Sequence, residues 1–137
     1  MEKNNEEQLR EKYLEIQILS QNLNNIQEYS GTLGNEISAL TQLEDSLTQF
    51  KDLKEESEIL VQLGAGIFAK AKIKETEKVF TDVGAKVIVK KTIPETIESI
   101  TKQKEELQTL SNQIKSQIEE ITEKQKELMD ELKDVDK

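Results

Sequence analysis

Apolar residues along the last third of the chain recur in alternating steps of three and four. From Ile97 the pattern visits Ile100, Lys104, Leu107, Ser111, Ile114, Ile118, Ile121, Gln125, Leu128, Leu132 and Val135, and nine of these twelve positions are apolar. A period of that kind over more than five heptads predicts one strand of a coiled coil. Lys104, Ser111 and Gln125 then occupy seam positions, where polar groups fix register at some expense of stability. The start of this arm is signposted. Thr92 and Glu95 have capping-box spacing, and Pro94 falls in the first turn, where its missing N–H removes no hydrogen bond. The arm is expected over 93–137.

The first part of the chain carries a less regular version of the same period. Leu9, Tyr13, Ile16 and Leu23 lie close to a 4-3-7 progression, and Leu23, Ile26, Ser30, Leu33, Ile37, Leu40 and Leu47 continue in threes and fours. The two runs are read as joined by a local stammer around Leu23, with Leu14 and Leu19 off the main seam. Asn4 and Glu7 have the spacing of a helix-starting capping box, so a helical arm is expected over about 5–56, on the order of 75 Å long if uninterrupted. Gly31 and Gly34 weaken it by roughly 1 kcal/mol each relative to Ala. The apolar phase persists through Leu33 and Ile37, which favours one continuous helix with a soft spot over a break.

Between the arms the period changes to two. Ile59, Val61 and Leu63 alternate before Gly64-Ala65-Gly66, and Ile67, Ala69, Ala71 and Ile73 alternate against Phe68, Lys70, Lys72 and Lys74. After a polar turn at 75–77 come Val79, Phe80 and Val83, then Gly84-Ala85, then Val87, Ile88 and Val89. Residues 58–92 therefore predict four short strands in two β-hairpins. So few residues bury too little apolar area to stand alone in water, and their open edges call for pairing with other subunits.

Composition narrows the function. Charged residues make up 34% of the 137 positions, with three Phe, two Tyr and no Trp, which is thin material for a compact core. The arms are acidic, with net charge −8 over 1–58 and −5 over 93–137, whereas 59–92 carries +4. Acidic arms repel phosphate backbones, so nucleic acid is not an expected partner. Lysines such as Lys70, Lys78 and Lys90 are read as the wet face and guarded edges of a small sheet. The chain has no Cys and no His, which removes disulfides, thiolate chemistry, the usual zinc ligands and imidazole catalysis. Together with the lack of any apolar run of about 20 residues, and of a signal-peptide pattern at the start, this predicts a cytoplasmic protein with no membrane association.

No catalytic, metal or cofactor site is expected. Gly64, Gly66 and Gly84 lack the remainder of a dinucleotide or phosphate-loop fingerprint and read as turn or bulge glycines. Neighbouring carboxylates such as Glu105 and Glu106 diverge by about 100° around a helix and flank a dry seam rather than a pocket. More interest attaches to the arm ends. Antiparallel arms bring Leu9, Tyr13, Leu14 and Ile16 near Leu128, Met129, Leu132 and Val135. These residues either close the end of the coil or form an adaptable apolar tip, with a flexible Met, for gripping many partners weakly.

A long helix, two hairpins centred on ILVQLGAGIFAKAKI and VFTDVGAKVIVKKT, and a second long helix resemble the α-type, two-hairpin subunit of prefoldin, in its archaeal form. The likeness covers nearly the whole chain. It is most specific in Leu60–Ile73, with Gln62 standing where the family commonly has proline. The resemblance implies an α+β fold, a long antiparallel coiled-coil hairpin with two β-hairpins inserted between the helices and contributing to an oligomeric β-barrel. It further implies an ATP-independent holdase within a heterohexamer of two α and four β subunits, which captures unfolded clients at the coil tips and delivers them to a group II chaperonin. Carried onto this sequence, the client-contacting candidates are Leu9, Tyr13, Leu14, Ile16, Leu128, Met129 and Leu132. The assembly candidates are Val61, Leu63, Ile67, Phe68, Ile73, Val79, Phe80, Val83, Val87, Ile88 and Val89. The alternative expectation is a prefoldin-like filament or structural scaffold that self-assembles without a client role.

Overall fold

The computed structural model describes residues 2–135. Helix α1 spans Glu2–Lys51, strands β1 (Glu58–Gly64), β2 (Ile67–Lys72), β3 (Lys78–Asp82) and β4 (Ile88–Thr92) follow, and helix α2 spans Ile93–Val135. The chain divides into a coil unit, residues 1–37 with 106–137, and a hairpin unit, residues 38–105.

In the coil unit the two helices run antiparallel, as the pairs Lys12–Glu131 and Ser20–Gln125 show. Burial on α2 follows the expected seam without a slip: Ser111, Ile114, Leu128 and Leu132 are buried, and Leu107, Ile118, Ile121 and Gln125 are half-buried. On α1 the seam is more regular than the apolar letters suggest. Leu9, Lys12, Ile16, Leu19, Leu23, Ile26, Ser30, Leu33 and Ile37 are the inward positions, in strict alternation of three and four, so there is no stammer. Lys12 takes the place expected of Tyr13, which is 56% exposed, and Leu19 belongs to the seam. The reason is that a lysine stem covers apolar surface while its ammonium reaches outward, here to Glu131 at 3.1 Å.

Helix α1 passes through Gly31 and Gly34 without interruption, and Leu33 between them is 2% exposed. A Cβ at either glycine would stand in open space, so no close approach requires them there, and the deeply buried Leu33 keeps the stretch on the seam. The helix is already formed at Glu2. Asn4 therefore has a helical backbone, unlike the extended backbone of an N-cap, and does not start it.

In the hairpin unit, α1 ends at Lys51, short of the expected 56. The amides of Asp52 and Leu53 turn back onto the carbonyls of Gln49 and Phe50, and Glu56, with φ of 69°, donates its N–H to the Ile73 carbonyl at 2.7 Å. The residues after Lys51 thus already serve the first hairpin. At the other end α2 begins as its letters predict: the Glu95 N–H donates to Thr92 Oγ1 at 3.2 Å, and Pro94 sits in the first turn.

The strands form two separate two-stranded antiparallel sheets, β1 with β2 and β3 with β4. The first closes through Ala65 and Gly66, with φ of 48° and 80°, and the second through Ala85 and Lys86, with φ of 52° and 63°. Two central residues with positive φ match the right-handed twist of the flanking strands. Val83 and Val87, expected in strands, are drawn into the second turn, where the Val83 N–H donates to the Val87 carbonyl and the Val87 N–H to the Gly84 carbonyl, each at 3.0 Å. The unit's core is small: Leu47, Ile93 and Ile100, packed about by Leu40, Phe50, Val79 and Ile97.

Candidate functional site

Cross-strand register assigns each side chain of the hairpins to a face. In the first hairpin Ile59 faces Ala71 and Val61 faces Ala69, while on the opposite face Leu60 stands across from Lys70 and Gln62 across from Phe68. Opposed residues of an antiparallel pair share one face. Ile59, Ala69 and Ala71 are half-buried, and Leu60 and Phe68 are 66% and 54% exposed. Leu63 and Ile67, beside the turn, are exposed on a strand whose register shifts between Gln62 and Gly64.

The second hairpin repeats the arrangement. Val79 opposite Lys91 and Thr81 opposite Val89 form the half-buried face, and Val79 packs against the Leu47–Ile93–Ile100 core. Phe80 opposite Lys90, and Ile88 opposite Asp82, form the outer face, with Phe80 70% exposed. The Lys90 ammonium lies 5.7 Å from the Phe80 ring centroid and 3.1 Å from a Glu75 carboxylate oxygen. That pair of contacts holds the lysine across the ring. An open cleft of about 380 Å³ runs beside this hairpin, lined by Leu40, Leu43, Leu47, Val79, Phe80 and Ile100 among others.

Of the assembly candidates, Val61, Leu63, Ile67, Phe68, Phe80, Val83, Val87 and Ile88 are thus exposed, whereas Ile73, Val79 and Val89 are half-buried and support the hairpins from within. Leu60 was missed by sequence reasoning; the period of two puts it on the face opposite Ile59 and Val61, and the structure makes that face the outer one. Among the described residues, no further strand lies beside the edges of either hairpin.

In the coil unit the client-contacting candidates separate by exposure. Leu128 and Leu132 are buried in the seam, and Leu9 and Ile16 are half-buried along it. Tyr13, Leu14 and Met129 stand outside, each more than half exposed. The seam here is pinned by polar contacts: Gln125 Nε2 donates to Ser20 Oγ at 2.8 Å, and Lys124 lies 3.5 Å from Glu15. Exposed Ile18 and Tyr29, further along α1, were also missed; the helical angle of each places it outside the seam. The expected seam member Val135 lies outside the residues whose side chains are described.

Among the described residues no group of acidic side chains is arranged to hold a metal ion. No helix among them is long and apolar enough to cross a membrane.

The profile of the prefoldin subunit family matches residues 19–137. Among solved structures the fold is similar to filamentous PFD from Methanocaldococcus jannaschii, determined by cryo-EM, with a TM-score of 0.77, 22% sequence identity, and coverage of 87% of this chain and 98% of that one. No curated protein matches the sequence. The structural likeness speaks for the fold, two long helices joined by two small antiparallel hairpins. The family profile spans both hairpins, the whole of α2 and most of α1, and on that match the chain belongs to the prefoldin family, a family of chaperone subunits.

Proposed function

We propose that the chain is the α-type subunit of an ATP-independent holdase that captures unfolded proteins at its coil tips and passes them to a group II chaperonin. The observation that carries this reading is the pair of unjoined hairpins with open apolar outer faces: Leu60 and Phe68 on one, Phe80 and Ile88 on the other. Such surfaces in a chain this charged are completed by other subunits, which are here prefoldin β subunits and a second α subunit. Assembly then leaves the coil ends as the free apolar surface, with Tyr13, Leu14 and Met129 as the client contacts and Leu9, Ile16, Leu128 and Leu132 holding them in place. Several weak tips acting on one client raise the effective concentration of each, so no single tip needs a deep pocket. A cytoplasm, and an archaeal one, suits this reading.

Light scattering on the chain alone and mixed with a single-hairpin subunit tests it. A discrete species of about six subunits formed only in the mixture, and able to suppress client aggregation without nucleotide, is the expected result. Truncation beyond Leu128 then removes client holding while the mass of the assembly stays the same; loss of assembly in that variant refutes the division of labour. The second reading, a self-assembling filament or scaffold, is favoured by the likeness to a filamentous prefoldin. Long polymers of the chain alone, inert toward clients, support it instead.

A further inference from the structure

Charge is not spread evenly along the coil unit. Residues 16–35 of α1 contain a single charged side chain, Glu28, in a chain of which 34% is charged. Within this neutral stretch and just before it, Leu14, Ile18 and Tyr29 are 58%, 50% and 49% exposed. At about 100° per residue these three lie within about 60° of one another around the helix, with Gln21 and Asn25 on the same face. Both amides are exposed. Glu28 lies at the margin of the stripe, and Glu11 and Glu36 bound its two ends. Nothing comparable exists on α2, where Met129 is the one large apolar side chain exposed among the described residues.

We infer that this outer stripe of α1, Leu14–Ile18–Gln21–Asn25–Tyr29, is a binding track for extended, unfolded polypeptide of either charge sign, continuing from the coil tip. The inference rests on the holdase reading and deepens it. Three features select an unfolded chain as the occupant. The stripe is neutral within a strongly acidic protein, so it neither repels acidic segments nor retains basic ones by charge alone. Its apolar anchors are separated by amides that both donate and accept, which is what an unpaired peptide backbone requires. Its length, about 22 Å from Leu14 to Tyr29, is that of about seven residues of extended chain. Leu14 belongs both to the tip and to the stripe, so a client held at the tip lies along α1 without leaving apolar contact.

The test measures binding of two permanently unfolded proteins, reduced and carboxamidomethylated at their cysteines, basic lysozyme and acidic α-lactalbumin, to the full chain in its native assembly. The expected result for I18E/Y29E is a loss of affinity of about tenfold or more for acidic α-lactalbumin, from lost apolar contact and added repulsion, with a smaller loss for lysozyme. Q21E/N25E, which keeps every apolar anchor, weakens α-lactalbumin severalfold and leaves lysozyme unchanged or tighter. All four positions are exposed, so helix content and the mass of the assembly stay at the parent value. A charge placed on the outer face of α2, Ser116→Glu, has no effect. Unchanged affinities in both double variants, while Met129→Ser at the tip still weakens binding, overturn the track and leave the holdase reading standing. A parent assembly that binds neither protein overturns both. A concentration-dependent association of parent assemblies that I18E/Y29E abolishes assigns the stripe to arm-to-arm contact and also overturns the track.

Discussion

Gly84, with φ of 102°, has open space where a Cβ would stand, so the cost of filling it is backbone conformation alone. Its N–H donates to Asp82 Oδ1 at 2.9 Å, which ties the turn to the end of β3. Gly84→Ala is expected to destabilise the second hairpin by about 1–2 kcal/mol, read as a lower midpoint of thermal unfolding for the assembly. Lys86, two residues on, adopts φ of 63° with an L side chain. Lys86→Gly relieves that strain and is expected to raise the same midpoint, by up to about 1 kcal/mol of stability. A lowered midpoint for Lys86→Gly argues that the lysine side chain makes a contact worth more than its backbone strain. In the coil unit, Leu33 is the most buried seam residue and sits between two glycines that contribute no side-chain packing. Leu33→Ala is expected to cost about 2–4 kcal/mol, seen in the helix-melting curve.

Within the elements, polar residues at seam positions fix how helices pair. In the hairpin unit, Glu44 on α1 accepts from Lys104 Nζ and Thr101 Oγ1 on α2, both at 3.3 Å. Both partners of the ion pair are about a quarter exposed, so solvent screens the attraction and its direct contribution is modest. Its larger effect is on choice of register, because any slip of α2 along α1 strands a carboxylate against apolar side chains. Lys104→Met alone is expected to lower the melting midpoint, leaving Glu44 without its cation. Glu44→Leu with Lys104→Leu is expected to raise it while permitting alternative pairings. Cysteine pairs placed to cross-link only in shifted registers, trapped under oxidation, report the difference; a double variant with one register and a lower midpoint contradicts the argument.

For the whole molecule, the proposed division of labour gives assembly to the hairpins and client holding to the coil. Replacing outer-face residues by serine, as in Leu60→Ser, Phe68→Ser and Phe80→Ser together, removes apolar area that stands mostly in solvent. The triple variant is expected to leave helix content unchanged by circular dichroism while the mass by light scattering falls to that of the single chain. Retained assembly locates the subunit contacts on the half-buried faces and strand edges instead. In the proposed assembly the acidic balance of the arms, −8 over 1–58 and −5 over 93–137, is expected to keep neighbouring arms apart at low salt, an effect that fades as added salt shortens the Debye length below about 10 Å.

Much of this architecture was legible in the sequence because it is local. The three-four period of α2, the Thr92 cap and the period-two runs broken by Gly64-Ala65-Gly66 and Gly84-Ala85 each depend on residues a few positions apart, and the structure keeps them, with Val83 and Val87 given up to the second turn. The pattern of letters misled where chemistry at one position depends on a partner distant in sequence. Tyr13 is apolar in composition yet lies outside the seam, while Lys12 lies in it because Glu131 receives its ammonium. Leu128 and Leu132 read equally well as tip or seam until burial assigned them to the seam, and the neutral stripe on α1 became a surface only once Ile18 and Tyr29 were seen to be exposed. Period, caps and turns belong to the chain's own backbone preferences, which short-range contacts satisfy. Which apolar side chains remain in water depends on the other helix and on the hairpin register, and only the tertiary structure decides that.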